Sequence, residues 1–169
     1  ISRIDIGTIT YDTTIAFYPG EGGSGSFLGG MAFSPDGSCL FVADREGNEL
    51  LVLRVPTESG SSEGSLSLVA RIPVGQGPYA ITYFSPAAQV LVTNLSSNDV
   101  SVVDGIGLRQ VARIPLTTGF HGSRPSGIAV SLTTGPQSHY YAFVTQQVSP
   151  YISVLDLSLL CEFNPLTPA

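Results

Sequence analysis

The chain has 169 residues, 43% of them hydrophobic and only 12% charged, a balance that excludes a disordered segment and supplies enough apolar side chain for a packed core. A net charge of −6 and the absence of Lys exclude a phosphate-tracking nucleic-acid surface, a P-loop, a Schiff-base lysine and a polybasic membrane patch. The two Cys form no C-x-x-C pair and signal no zinc site, and no apolar run approaches the ~18 residues of a membrane-crossing helix.

Taken in chain order, Ile1-Ser2-Arg3-Ile4-Asp5 opens as a short apolar strand closed by Asp, with a second strand expected over 8–17. Gly30-Met31-Ala32-Phe33 follows and runs into the turn Ser34-Pro35-Asp36-Gly37, where Pro presets φ and Gly suits the fourth position of a type I turn. Next come strands over 39–43, 50–54 and 66–72, the last after a Ser/Gly/Glu-rich excursion. The pattern then starts again. Strands are expected over 80–84, 90–93, 100–104 and 110–114, and Ser85-Pro86 repeats the first half of the turn. A third round begins at Ser126-Gly127-Ile128-Ala129-Val130, continues through Phe143-Val144-Thr145-Gln146 and ends at 152–156.

The repetition is close. Phe41-Val42-Ala43-Asp44, Leu91-Val92-Thr93-Asn94 and Phe143-Val144-Thr145-Gln146 start 50 and 52 residues apart, and Val69-Ala70-Arg71-Ile72-Pro73 matches Val111-Ala112-Arg113-Ile114-Pro115. A repeat near this length built only of short strands is the signature of a β-propeller blade, a four-stranded antiparallel meander with strand a at the channel and strand d outermost. The fold class is therefore all-β. The chain divides into 1–28 as strands c and d of a preceding blade, complete blades over 29–77 and 78–125, strands a to c over 126–160, and a Pro-rich tail over 161–169 that leaves a fourth strand open. About three and a half blades are too few to close a ring, so two apolar flanks are expected to be exposed. Further blades of a longer polypeptide, or another copy completing the ring, are the partners this implies.

At these motifs the sequence resembles the YVTN family of propeller repeats, whose pattern is roughly I-A-F-S-P-D-G, then Y-V-T-N, then V-S-V-I-D. Met31-Ala32-Phe33-Ser34-Pro35-Asp36-Gly37, Leu91-Val92-Thr93-Asn94 and Ser101-Val102-Val103-Asp104 carry the likeness, although Ala87-Ala88 and 133–138 replace the turn in the later rounds. The resemblance implies a secreted, periplasmic or cell-surface protein, usually of seven blades, akin to lactonase-like proteins and to propeller domains of quinoprotein and cytochrome-linked enzymes. A WD repeat is disfavoured because the chain has no Trp, whereas an NHL repeat makes the same architectural prediction.

Repetition also separates structural from functional residues, because one active site needs its groups once. Asp5, Asp104 and Asp156 each end a strand c and are expected to accept backbone N–H groups of the next turn. Asn48 and Asn98 are expected in left-handed geometry. The b–c and d–a connections share one rim, the usual ligand face of a propeller. There the candidate ligand-binding residues are Asp44, Arg45, Glu46, Asn94, His121, Arg124 and Gln146, with His121 beside Arg124 as the strongest single candidate. His139 is expected on the opposite face. Ser123 lacks a G-x-S-x-G elbow, no metal or cofactor motif is present, and Asn94-Leu95-Ser96 is a formal glycosylation sequon. Cys39 is expected to be a buried small hydrophobe, with at most one disulfide to Cys161. With the extracytoplasmic placement that the resemblance implies, these features point to a binding or scaffolding module that acts through its rim loops on a protein or small-molecule ligand, without catalysis of its own, membrane insertion or nucleic acid. A lactonase-like hydrolase and a redox-enzyme propeller domain are the alternatives.

Overall fold

Each turn in the sequence closes an antiparallel pair in the computed structural model, which describes residues 27–55, 66–116, 123–131 and 139–162. The first sheet runs β1 (Leu28–Phe33), β2 (Cys39–Asp44), β3 (Glu49–Arg54) and β4 (Ser67–Pro73), paired in that order. The second repeats it with β5 (Pro78–Phe84), β6 (Gln89–Asn94), β7 (Asp99–Asp104) and β8 (Arg109–Pro115). The third holds β9 (Pro125–Ser131), β10 (Tyr141–Gln146) and β11 (Ile152–Asp156), with β10 central. These three sheets are blades of a partial β-propeller. The strands expected over 1–17 lie outside the described residues.

The turn after β1 is held as expected: Gly37 N–H donates to Ser34 O at 2.9 Å, and Gly37 takes a φ of 72°. Ala88 takes the matching place after a 3-10 turn over Ser85–Ala87, at a φ of 51° that glycine would adopt without strain. One element was not anticipated. After β11 the chain enters a short helix, α1 (Ser158–Glu162), which packs beside the 3-10 turn of the second blade. Leu157, which leads into it, is buried in the core between the second and third blades, and Leu160 packs against that core.

Burial follows position in the blade. Strands b and c of the first two blades are buried on both faces, which is why they read as near-continuous apolar runs rather than alternating ones. Strands d are largely exposed along their length. One core joins the first and second blades through Phe41, Leu50, Val52 and Ile72 on one side and Val90, Val92 and Val103 on the other. A second joins the second and third through Leu91, Val100 and Val102 against Ala142 and Val144. Aromatic pairs bridge both seams, with ring centroids 5.9 Å apart for Phe41–Tyr83 and 5.3 Å for Phe84–Tyr140. Cys39 is a half-buried free thiol at the edge of the first seam. Strands a converge: β5 packs closely on both β1 and β9, whereas β4 and β8 barely touch. Gly29 belongs to that convergence, since a Cβ there would stand 2.8 Å from Tyr79 O.

The third blade shows what an uncovered blade looks like. Its strand b alternates buried and exposed, because only the face toward the second blade is covered. Phe143, Ile152 and Val154 are 40%, 59% and 55% exposed, whereas their counterparts Phe41, Leu50 and Val52 in the first blade are wholly buried.

Candidate functional site

The rim is built by hydrogen bonds that tie each b–c turn to the d–a link beside it. Asn48 and Asn98 adopt left-handed geometry, with φ of 55° and 57°, as their residue type allows. The main-chain oxygen of Asn48 accepts from Val74 N–H at 3.0 Å and its side-chain Oδ1 from Gly77 N–H at 2.8 Å. Asn98 repeats both bonds, with Leu116 N–H at 2.9 Å and Arg124 N–H at 2.8 Å. The next turn closes on the same link, through Leu95 N–H to Gly77 O at 2.9 Å and Gln147 N–H to Arg124 O at 3.0 Å. The opposite face has its own ties, Val55 N–H to Ser38 O and Gly105 N–H to Ala88 O.

Several rim candidates are engaged in holding the fold. Asp44 is wholly buried, and its Oδ1 accepts from Glu46 N–H and Gly47 N–H at 3.2 and 3.1 Å. Asn94 is also wholly buried; its Nδ2 donates to Asp99 Oδ1 at 2.6 Å and to Ser101 Oγ at 2.9 Å. Asp99 is paired in turn with Arg113, and Ser101 Oγ donates to Gln110 Oε1 at 3.0 Å while accepting from Gly75 N–H. Gln146 repeats the arrangement, donating from Nε2 to Ser153 Oγ at 2.5 Å. Asp104 and Asp156 accept the turn N–H groups expected of them, from Ile106 and Gly107 in one case and Ser158 in the other. Ser123 is wholly buried, and His139 stacks on Tyr141, its ring centroid 6.2 Å away, beside the ties of the opposite face. His121 and Asp5 lie outside the described residues.

Arg45, Glu46 and Arg124 remain at the surface of the rim. Arg45 stands apart. Its backbone N–H donates to Phe27 O at 2.9 Å, and its guanidinium lies 4.8 Å from the Phe27 ring centroid and 4.9 Å from that of Tyr79. A cation over a ring face is stabilised by the ring's quadrupole, by ~0.5–2 kcal/mol per contact depending on desolvation. It lines a groove of about 450 Å³ whose other walls include Phe27, Leu28, Met31, Tyr79 and Ile81. Sequence reasoning found the cation and missed its aromatic jaws. The signal was present, because Phe27 and Tyr79 sit in the two d–a links that flank the b–c turn of Arg45.

Among the described residues no three His, Cys, Asp or Glu side chains gather as a metal site, and no helix is long and apolar enough to cross a membrane. No protein-family model matches the chain, and no curated protein does. Solved β-propeller structures do. Hydrazine synthase of Kuenenia stuttgartiensis superposes with a TM-score of 0.62 at 25% identity, over 79% of this chain and 33% of that one. The dihydro-heme d1 dehydrogenase NirN superposes with a TM-score of 0.56 at 18% identity, over 85% of this chain and 30% of that one. A putative 6-phosphogluconolactonase from Bacteroides uniformis gives 0.49 at 20% identity, over 77% and 40%. The chain thus spans about a third of the length of the first of these structures, and its fold is that of part of a β-propeller.

Proposed function

We propose that this chain is part of an extracytoplasmic β-propeller that binds a ligand or partner through its rim without catalysis of its own. One observation carries the reading. The rim groups suited to proton transfer or ligation, Asp44, Asn94 and Gln146, are buried and bonded to neighbours, whereas Arg45, Glu46 and Arg124 stay at the surface as recognition groups. Extracytoplasmic placement follows from the resemblance to YVTN repeats. The flank of Phe143, Ile152 and Val154 belongs, in this reading, against a further blade of the same ring, since the equivalent positions of the first blade meet the second.

An NMR screen of small ligands, with lactone hydrolysis assayed in parallel, tests the proposal. Shifts are expected in amides of 45–48, 75–79, 95–98 and 124. Shifts confined to 34–38, 85–88 and 104–109 on the opposite face, or lactone turnover abolished by Asp44→Asn, would overturn it.

A second reading, a propeller segment within a larger redox enzyme, is favoured by the likeness to hydrazine synthase at a TM-score of 0.62. It requires the longer protein to carry a redox group, read as visible absorption bands that bleach or shift on reduction.

A further inference from the structure

We infer that the cleft of Arg45 is an anion subsite whose ligand is a small organic carboxylate with a flat apolar body. The inference rests on the rim-binding reading and assigns that rim its ligand chemistry.

The two rings lie over the guanidinium, so what it has left to offer is the set of N–H donors in its own plane. A carboxylate meets two such donors at once, and planar forked recognition is the use for which Arg differs from Lys. One of these donors is unmet. Arg45 Nε is buried and has no acceptor. The ion pairs among the described residues are made by Arg71, Arg109 and Arg113. Of the two carboxylates adjacent in sequence, Asp44 accepts from Glu46 N–H and Gly47 N–H, and Glu46 makes none of the ion pairs found among the described residues. A charged donor left unsatisfied in a buried place costs more than a neutral one, so the site gains most from an anion.

The groove supplies the rest of the specificity. Its volume, about 450 Å³, falls in the range of small-molecule sites. Leu28, Met31 and Ile81 add apolar wall, and Phe27 and Tyr79 line the groove with the cation. A fully hydrated inorganic anion would satisfy the charge and waste the walls, whereas an aromatic acid uses both. The site is also single in the repeat. The counterparts of Arg45 in the b–c turns of the other two described blades are Leu95 and Gln147, which make the same main-chain bond to their d–a links without a cation.

Benzoate and acetate are the probes, titrated into the whole chain and followed through the Arg45 Nε–H and Tyr79 ring resonances. Benzoate is expected to shift both to saturation, with acetate at least tenfold weaker. Arg45→Gln should weaken benzoate at least tenfold and Arg45→Lys less. Arg109→Gln, on the other face, should change nothing. The wild-type shift stands by itself if a variant fails to fold. An unmoved Arg45 Nε–H, or undiminished binding by a folded Arg45→Gln protein, would overturn the inference. Benzoate shifts centred on Arg124 would do so too and leave the rim reading in place. If neither probe shifts any rim resonance, and no other ligand of the screen does, both fail.

Discussion

Asp36 shows how much of a turn one carboxylate can organise. Its Oδ1 accepts from Ser34 Oγ at 2.6 Å and from Ser38 N–H at 3.1 Å, and its Oδ2 accepts from Ser38 Oγ at 2.8 Å. The two serine hydroxyls, then the Ser38 amide, hold its pKa down to about 2 from an ordinary 3.8. The charged form is the one the folded turn prefers, so its contribution to stability is complete above pH 3.8 and is lost as pH falls toward 2. Carboxyl NMR should place the midpoint near 2, and Ser34→Ala with Ser38→Ala should return it toward 3.8. Ala88 offers the opposite case, a side chain where none is wanted. Ala88→Gly relieves its left-handed φ and is expected to raise stability by up to about 1 kcal/mol, partly offset by a freer unfolded chain. Denaturant midpoints compare the two proteins directly. Asn98 separates backbone from side chain. Asn98→Gly keeps the φ and loses the Oδ1 acceptor, costing ~1 kcal/mol, whereas Asn98→Ala loses both and should cost roughly 2.

Strands b illustrate why the motif reads as it does, and how far a sequence can be taken. The Thr of Leu91-Val92-Thr93-Asn94 fills a gap in the neighbouring strand a. β5 is irregular between Pro78 and Ile81, and Thr93 Oγ1 accepts the freed Ala80 N–H at 3.0 Å. Thr93→Val keeps the shape and removes the acceptor, for an expected loss of ~1–3 kcal/mol in chemical denaturation. Strand positions, turns and the left-handed Asn residues were legible because period, Pro, Gly and Asn each have local causes. Rim membership was legible as well, since it follows from strand order. The fate of Asp44, Asn94 and Gln146 was not, because whether a polar side chain faces solvent or a neighbouring strand depends on register and on the next blade. Nor was α1, a short helix whose Leu160, with Leu157 just before it, is held in place only once the core of two blades exists. The pairing of Arg45 with Phe27 and Tyr79 likewise arises from residues far apart in sequence.

At the scale of the molecule, stability is shared between neighbours. Each of the first two blades is hydrophobic on two faces, so the fold approximates a row of units joined by interfaces. Among the described residues the last covered seam lies between the second and third blades, and at the flank of Phe143, Ile152 and Val154 more than a third of each side chain meets water. In isolation, the 169-residue chain is expected to self-associate through that flank, with light scattering showing a mass that rises with concentration. Ile152→Lys with Val154→Lys should suppress that rise without lowering the melting temperature by more than a few degrees, because neither face of the buried seams is touched. A monomer at all concentrations before substitution would count against the flank as an interface.

The ties made by Asn48 have a further consequence for how such a chain grows. Both partners of Asn48, Val74 and Gly77, lie within the 50-residue stretch 39–88, which begins at strand b and ends just past the following strand a. Unequal recombination that copied this stretch would insert a blade together with both bonds of its Asn48. The bond to Gly77 O would re-form with the next copy, because its donor is a main-chain N–H that needs no particular side chain. Duplication in that phase keeps both bonds of Asn48 and the main-chain bond to Gly77 O, whereas a cut between Asn48 and Val74 separates Asn48 from both of its partners. Blade number in such a lineage can therefore drift by whole units while the sequence of each blade diverges.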